Sequence, residues 1–131
     1  MADLPRRAVA DTSVFVAIEV GRPLGDLPLE IGVSMITAGE LEVGVLRART
    51  PQARALRLGT LTQLRSEFPL LPIDSATASC FARLTDEALS AGYKPAHHDT
   101  WIAATAMRHH VPVVTQDKDF AAFASVQVIH V

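Results

Sequence analysis

Short apolar runs alternate along the chain with longer segments in which apolar residues recur every three to four positions. Short runs bounded by turn-forming residues are typical of buried strands, and the longer spacing is typical of helices with one apolar face. Strands are predicted at residues 8–10, 31–33, 69–73, 111–115 and 126–131. Helices are predicted at about residues 14–18, 35–48, 51–67, 75–91, 98–110 and 118–124.

Residues that favour helix starts precede several of these segments. Side-chain oxygens accept hydrogen bonds from the unpaired N–H groups of a first turn. Strands that alternate with helices predict right-handed βαβ units and a parallel sheet. We therefore predict an α/β fold, with one domain over residues 1–131 and a central twisted parallel sheet of about four to five strands flanked by helices. The predicted N-caps are Thr12 or Ser13, Ser34, and Asp74 or Ser75.

The composition indicates a folded globular chain, because 49% of the 131 residues are hydrophobic and 20% are charged. Cys80 is the only cysteine, which excludes a disulfide framework and a cysteine-based metal site and fits a reducing compartment. No run reaches the ~18 uncharged apolar residues of a membrane span, and Asp11 and Glu19 interrupt the apolar N-terminal stretch. We therefore expect a cytoplasmic protein with no membrane partner.

Four acidic residues have similar positions relative to the predicted elements. Asp11 follows the first strand, Asp99 opens a helix in line with its apolar stripe, and Asp117 comes just after the fourth strand. Glu40 lies in the second turn of its helix, also on an apolar face. Ligands of parallel sheets bind beyond the carboxyl ends of the strands. The pattern therefore predicts that these carboxylates converge at that edge.

Helix capping is the structural alternative for these acids. Asp is favoured at N-caps, so capping explains Asp117 and Asp99 about as well as a functional role does. Capping is a weaker explanation for Asp11, because the hydroxyl residues after it can cap instead. It fails for Glu40, which lies too far into its helix. Capping alone does not explain the set.

A shared cation site explains all four positions. Carboxylates that converge in one cleft repel each other and raise each other's pKa values, and a divalent cation removes that repulsion. An all-oxygen ligand set suits Mg²⁺, or Mn²⁺, better than Zn²⁺. The chemistry indicated is phosphodiester hydrolysis by metal-activated water, without a covalent intermediate.

Four stretches carry a family resemblance: VADTSVFVA, SMITAGELEVG, HHDTWIAATA and VPVVTQDKDF. In this order and at these intervals, over about residues 9–120, they resemble the PIN-domain ribonucleases and, within them, the VapC toxins of bacterial toxin–antitoxin pairs. The resemblance implies a single PIN-like domain and a Mg²⁺-dependent endoribonuclease. The catalytic and metal-binding acids that it implies are Asp11, Glu40, Asp99 and Asp117.

The resemblance also implies roles around those acids. Asp119 matches a frequent but variable acid, and it is the alternative to Asp117 as the fourth member. Thr12 or Ser13, together with Thr115, match hydroxyl positions that would orient the carboxylates or water. The implied partners are an RNA substrate such as tRNA or ribosomal RNA, a VapB-like antitoxin, and a second toxin copy in a homodimer.

The formal net charge of −2 is not typical of a nucleic-acid binder. Without the four acids, however, ten acidic residues face twelve basic ones. A group of arginines in the predicted second and third helices could hold RNA phosphates, although an ordinary solvated helix face explains it as well. The group is Arg47, Arg49, Arg54, Arg57 and Arg65.

Other conspicuous residues are given no chemistry. His97 and His98 are interpreted as a neutral pair at a helix start, and Cys80 as a core residue. Trp101 is interpreted either as a core residue or as a partner contact.

Two other function classes stay open at this point. One is a phosphatase with Asp11 as its nucleophile, although such enzymes commonly carry a second Asp at the position that Ser13 holds here. The other is a non-catalytic receiver or docking domain. A receiver requires paired acids at the end of the first strand and a later lysine after a strand. No such pair and no matching lysine are identified in this sequence.

Overall fold

The structure, a computed structural model, describes residues 4–131 and contains one sheet with helices packed on both faces. The strands are β1 Arg7–Ala10, β2 Glu30–Ser34, β3 Leu70–Leu71, β4 Val113–Thr115 and β5 Val128–His130. The helices are α1 Thr12–Val20, α2 Met35–Leu46, α3 Pro51–Glu67, α4 Ser75–Ser90 and α5 His97–Arg108, followed by a 3-10 turn at Asp119–Ala122.

The strand order is β3-β2-β1-β4-β5, and each neighbouring pair is parallel. The chain builds outward from β1 through β2 and β3, and then fills the other side through β4 and β5. The winding direction therefore reverses between β1 and β4. The predicted α/β fold with a parallel sheet is confirmed. Residues 1–3 lie outside the described residues, so one domain over residues 1–131 stays a prediction.

The side chains of β1 show how the sheet separates two apolar layers. Successive residues of a strand point to opposite faces. Val9 packs in one core with Leu84 of α4 and Ile102 of α5. Ala8 and Ala10 pack on the other face, in a core to which α1, α2 and α3 contribute. Both faces of the central strand are covered, as is typical of parallel sheets.

The short helix predicted at residues 118–124 is confirmed only over Asp119–Ala122, and there it is a 3-10 helix rather than an α-helix. The structure has only the four-residue 3-10 turn there, in which Phe120 is fully buried. Phe123, just after the turn, packs edge-to-face against Phe120. The apolar positions in this segment anchor a tight turn rather than form the stripe of a helix.

The helix caps differ from the prediction at one functional position. Neither Thr12 nor Ser13 caps α1, because both lie inside the helix. Asp11 is the N-cap, and its Oδ2 accepts a hydrogen bond from the Ser13 backbone N–H over 3.3 Å. The predicted caps at Ser34 and Asp74 are confirmed.

Two residues without assigned chemistry take structural positions. Cys80 is buried in the core, as predicted. The Trp101 ring stacks on Phe81 with ring centroids 4.0 Å apart, which joins α5 to α4. Within residues 4–131, no helix combines the length and the apolar character that crossing a membrane requires.

Candidate active site

Asp11 lies at the carboxyl end of β1, where the strand order reverses, and only 2% of its surface is exposed. Its Oδ2 atom accepts hydrogen bonds from the Ser13 N–H and from the Thr115 hydroxyl, the latter over 2.9 Å. Across residues 4–131, its Oδ1 atom has no hydrogen-bond partner. A buried carboxylate with one oxygen held and the other available is suited to binding a cation.

Ser13 and Thr115 join the two chain segments that follow β1 and β4. Thr115 Oγ1 donates to Asp11 and accepts from the Asp117 N–H over 2.9 Å. Ser13 Oγ accepts from the Gln116 N–H over 2.9 Å and lies 3.2 Å from Thr115 Oγ1. Because the Thr115 proton is committed to Asp11, Ser13 donates across this last contact. The network fixes the loop that carries Asp117.

Thr12 positions Glu40 from the other side. Thr12 Oγ1 donates to Glu40 Oε1 over 2.9 Å and lies 3.1 Å from the hydroxyl of the fully buried Thr37. Glu40 is half-buried in the second turn of α2. Its carboxylate is therefore held towards the N-terminus of α1, although part of the side chain stays open to solvent.

Asp99 is the third residue of α5 and is 7% exposed. It does not cap the helix, because Ala96 is the N-cap and makes no side-chain bond. The pKa of Asp99 is raised to about 6, mainly by burial and also by the charges of Asp11, Asp119 and Asp117, while His98 acts in the opposite direction. Asp99 thus lies within electrostatic reach of three other acids.

Asp117 is exposed and caps no helix, since the 3-10 turn starts at Asp119 with Lys118 as its N-cap. Partial burial raises the pKa of Asp117, and Asp11 and Asp119 add to the effect, whereas Arg22 and His98 lower it. The charges of Asp117 and Asp119 both raise the pKa of Asp99. The structure therefore brings five carboxylates towards one crevice. The sequence analysis predicts four, with Asp119 as the alternative to Asp117.

His98, to which sequence analysis assigned no chemistry, lies beside two of the candidate acids. Its Nε2 atom lies 3.5 Å from Asp99 Oδ1 and 3.8 Å from Glu40 Oε2, and about half of the side chain is exposed. The sequence shows only that it precedes Asp99. Its contact with Glu40 depends on the packing of α5 against α2, which no local pattern reveals.

The predicted arginine group is only partly free for a ligand. Arg57 donates to the Gly44 carbonyl over 2.7 Å, and Arg65 pairs with Glu42 at 3.3 Å. Arg47 lies seven residues after Glu40, or about 10 Å further along α2 and its C-terminal end. The members that are exposed are Arg47, Arg49, Arg54 and Arg65.

No three histidine, cysteine, aspartate or glutamate side chains within residues 4–131 form a ready-made metal cage. The donors that converge are nevertheless carboxylate oxygens, the type that Mg²⁺ and Mn²⁺ prefer. Mg²⁺ commonly uses one or two carboxylates and keeps several waters. Asp11 and Asp99 are the buried members of the set, and they are the first candidates for such contacts.

Comparison with known proteins places this geometry in a family. The PIN domain model matches residues 8–126. Ribonuclease VapC4 of Mycobacterium tuberculosis (strain ATCC 25618 / H37Rv) is 46% identical over 126 residues, which cover 95% of this chain and 96% of that protein. Ribonuclease VapC5 of the same strain is 42% identical over 136 residues and covers both chains completely.

Solved structures agree with the sequence comparison. The crystal structure of VapBC-5 from Mycobacterium tuberculosis, a member of the VapBC family of toxin-antitoxin systems, matches with a TM-score of 0.89 and 39% identity, over 97% of this chain and 100% of that one. FitAcB from Neisseria gonorrhoeae matches with a TM-score of 0.71 and 28% identity, over 93% and 96%. The chain therefore belongs to the PIN-domain family and, within it, to the VapC proteins.

Proposed function

We propose that this chain is a Mg²⁺-dependent endoribonuclease that acts as the toxin of a type II toxin–antitoxin pair. The observation that carries the proposal is the buried Asp99, whose pKa is raised to about 6 by burial and by three neighbouring acids. Such a carboxylate is destabilised in its charged form unless a cation lies beside it. The two relatives that cover nearly the whole chain are both named ribonucleases.

Each residue of the site has a proposed role. Asp11, Glu40, Asp99 and Asp117, with Asp119 as a further candidate, hold the metal and the reacting phosphate in place. Thr115 orients Asp11, and Thr12 orients Glu40, through the hydrogen bonds described above. When bound, Mg²⁺ or Mn²⁺ would lower the pKa of water and stabilise negative charge on the phosphate. The exposed Arg47, Arg49 and Arg54 stay candidates for outer contacts with RNA, and Arg57 is occupied by its carbonyl contact.

The two alternative classes are less well supported. Position 13, where a phosphatase of this type commonly carries its second Asp, holds a Ser that is engaged with Thr115 and Gln116. A lysine does follow a later strand, because Lys118 comes three residues after β4, so the sequence analysis overlooked a receiver-like feature. The VapC relatives nevertheless favour the ribonuclease.

The decisive experiment measures RNA cleavage with and without metal. The purified chain is incubated with labelled tRNA and ribosomal RNA in Mg²⁺, in EDTA, and after Mg²⁺ is restored. We expect cleavage only with free Mg²⁺, and we expect Asp11→Asn to lower its rate on the order of a hundredfold, because even outer-shell changes cost 10–100-fold. Asn keeps the helix cap, since its side chain also accepts the Ser13 N–H.

Asp86→Asn on α4 is the matched control, because it removes an equal charge from an exposed position. Cleavage that survives both EDTA and Asp11→Asn would contradict the metal mechanism. Phosphorylation of Asp11 by acetyl phosphate without RNA cleavage would support the alternative classes instead.

We also propose a VapB-like antitoxin partner, a toxin homodimer and a cytoplasmic location. The antitoxin partner is supported by the similar structure of VapBC-5, which is named as a member of the VapBC family of toxin-antitoxin systems. Exposed apolar side chains on α2 and α3 offer a surface that a partner would cover. They are Val43, Leu46, Leu56 and Leu58, each about half exposed or more.

Growth and mass measurements test these partners. Expression of the chain alone in bacteria is expected to arrest growth, whereas the Asp11→Asn variant is expected to be tolerated. Light scattering of that variant should give twice the 14.1 kDa chain mass at micromolar concentration. If the chain is monomeric and the unmodified chain does not arrest growth, both the toxin role and the homodimer are contradicted.

A further inference from the structure

A cleft of about 340 Å³ opens beside the acid cluster. It lies between the loop that precedes α5 and the 3-10 turn. Asp99 and Asp119 form part of its wall, so the cleft leads directly to the proposed reaction site. The rest of the wall includes Tyr93, Lys94 and Lys118. We call this feature the lysine cleft.

The only two lysines of the sequence both line this cleft. Lys94 and Lys118 are 24 residues apart, and the other ten basic residues are arginines. Tyr93, the only tyrosine of the chain, lines the same cleft. The fold brings them together because the loop before α5 and the segment after β4 both lie at the carboxyl edge of the sheet.

Both lysine side chains are available to a ligand. Lys94 and Lys118 are exposed, and neither forms an ion pair within 4 Å anywhere in the described part of the chain, although two acids line the same cleft. Tyr93 is 47% exposed, and its hydroxyl makes no hydrogen bond to the described residues. Two cations and an open aromatic ring are the components with which proteins bind single-stranded nucleic acid.

Building on the proposed ribonuclease function, we propose that the lysine cleft binds the single-stranded RNA segment next to the cleaved phosphodiester. Lys94 and Lys118 contact phosphates on either side of a nucleotide, and Tyr93 stacks on its base. The two ammonium groups supply positive charge on the wall that also carries Asp99 and Asp119, whose carboxylates would otherwise repel the RNA backbone. Stacking on a ring tolerates every base, so the cleft contributes affinity and positioning rather than sequence preference.

The lysine cleft is better placed for this role than the arginine group. Asp99, one of the proposed catalytic acids, forms part of the wall of the lysine cleft. Arg47 lies about 10 Å beyond Glu40 along α2. Contacts at the arginines can therefore add to the binding of a long RNA, but they do not position the nucleotide at the acids.

The test measures binding separately from cleavage. A fluorescent single-stranded RNA of ten nucleotides is titrated with the Asp11→Asn chain in EDTA at several salt concentrations. The Lys94→Ala/Lys118→Ala double variant is expected to reduce the slope of log affinity against log salt by about 1.4, because each lost phosphate contact removes about 0.7. Tyr93→Ala is expected to weaken binding on the order of tenfold, and Tyr93→Phe to retain the affinity.

Matched variants separate a specific contact from a general loss of charge. Arg6→Ala/Arg7→Ala removes two positive charges at the opposite end of β1, and it is expected to leave the slope nearly unchanged. Lys94→Arg/Lys118→Arg keeps both charges and is expected to restore the slope. Equal slopes for the lysine-to-alanine variant and for Arg6→Ala/Arg7→Ala would overturn the inference, as would unchanged affinity in Tyr93→Ala.

The result is distinguishable from a failure of the proposed function. Absence of cleavage by the unmodified chain in Mg²⁺, together with lysine-dependent binding in EDTA, would refute the ribonuclease and leave an RNA-binding cleft. Cleavage that is unaffected by all three cleft substitutions, with unchanged binding, would retain the ribonuclease and refute the cleft. Melting temperatures within about 2 °C of the parent identify variants that keep the fold, since these side chains are exposed.

Discussion

Replacing Asp99 with Asn is expected to abolish RNA cleavage while raising the melting temperature of the metal-free protein. Asn keeps the shape of the side chain but removes the charge that the metal requires, so the cleavage rate should fall on the order of a hundredfold or more. Without metal, that charge is unfavourable, because burial and three neighbouring acids raise the pKa of Asp99 to about 6. Removing it should therefore stabilise the folded chain at pH 7.5.

A substitution that lowers the cleavage rate but raises the melting temperature is typical of a carboxylate that serves function at a cost in stability. Cleavage rates in Mg²⁺ and thermal unfolding in EDTA, measured on the same preparations, check the two effects. Asp86→Asn on the exposed face of α4 should change neither. A lower melting temperature for Asp99→Asn in EDTA would instead indicate that the charged carboxylate stabilises the fold. Retained cleavage by the Asp99→Asn variant would exclude Asp99 from the catalytic site.

The positions of the acids along the sequence predicted that their carboxylates lie close together, because the carboxyl ends of parallel strands meet at one edge of the sheet. Asp11 and Asp117 follow β1 and β4, and these strands are neighbours at the point where the strand order reverses. Any carboxylate just beyond both strands must face the same crevice. Asp99 and Glu40 were found through the apolar stripes of their helices, which force a polar residue in line with them to point inward.

The features that the sequence did not reveal depend on contacts between distant elements. His98 reaches Glu40 only because α2 and α5 pack together. Lys94 and Lys118 share a cleft although nothing in their local sequences relates them. At Asp11 capping and metal binding were treated as alternatives, but one carboxylate oxygen caps α1 and the other is left for a ligand. A carboxylate has two oxygens, so the same side chain can serve both purposes.

Lowering the pH from 7 to 5 is expected to stabilise the metal-free protein and to leave the stability of the Mg²⁺-bound protein nearly unchanged. The folded-state pKa of Asp99, about 6, lies above its ordinary value of 3.8. The folded chain therefore binds a proton more tightly than the unfolded chain between these values, and the melting temperature in EDTA should rise as the pH falls towards 4. Asp117, whose pKa is also raised, acts in the same direction.

Mg²⁺ cancels this trend, because the ion competes with the proton and a carboxylate that holds the ion takes up no proton. At pH 7, Mg²⁺ at about a hundred times its dissociation constant should add about 2.7 kcal/mol to the free energy of unfolding. At pH 5, only about a tenth of Asp99 is charged, so the apparent metal affinity and the cleavage rate at limiting Mg²⁺ should each fall about tenfold. Glu30, Asp74 and Glu87 have lowered pKa values and keep their charge across this range.

Thermal melts and cleavage rates at half-unit pH steps, with and without Mg²⁺, measure both curves. Histidines also change charge in this range, and the Asp99→Asn variant isolates the contribution of Asp99 from theirs. The rise in EDTA should be smaller in that variant, and its response to Mg²⁺ should be weak at every pH. A parent chain whose Mg²⁺ stabilisation is the same at pH 5 and pH 7 would contradict a metal bound by this carboxylate. The same acid that makes the metal-free fold less stable at neutral pH is then what makes the site selective for a cation.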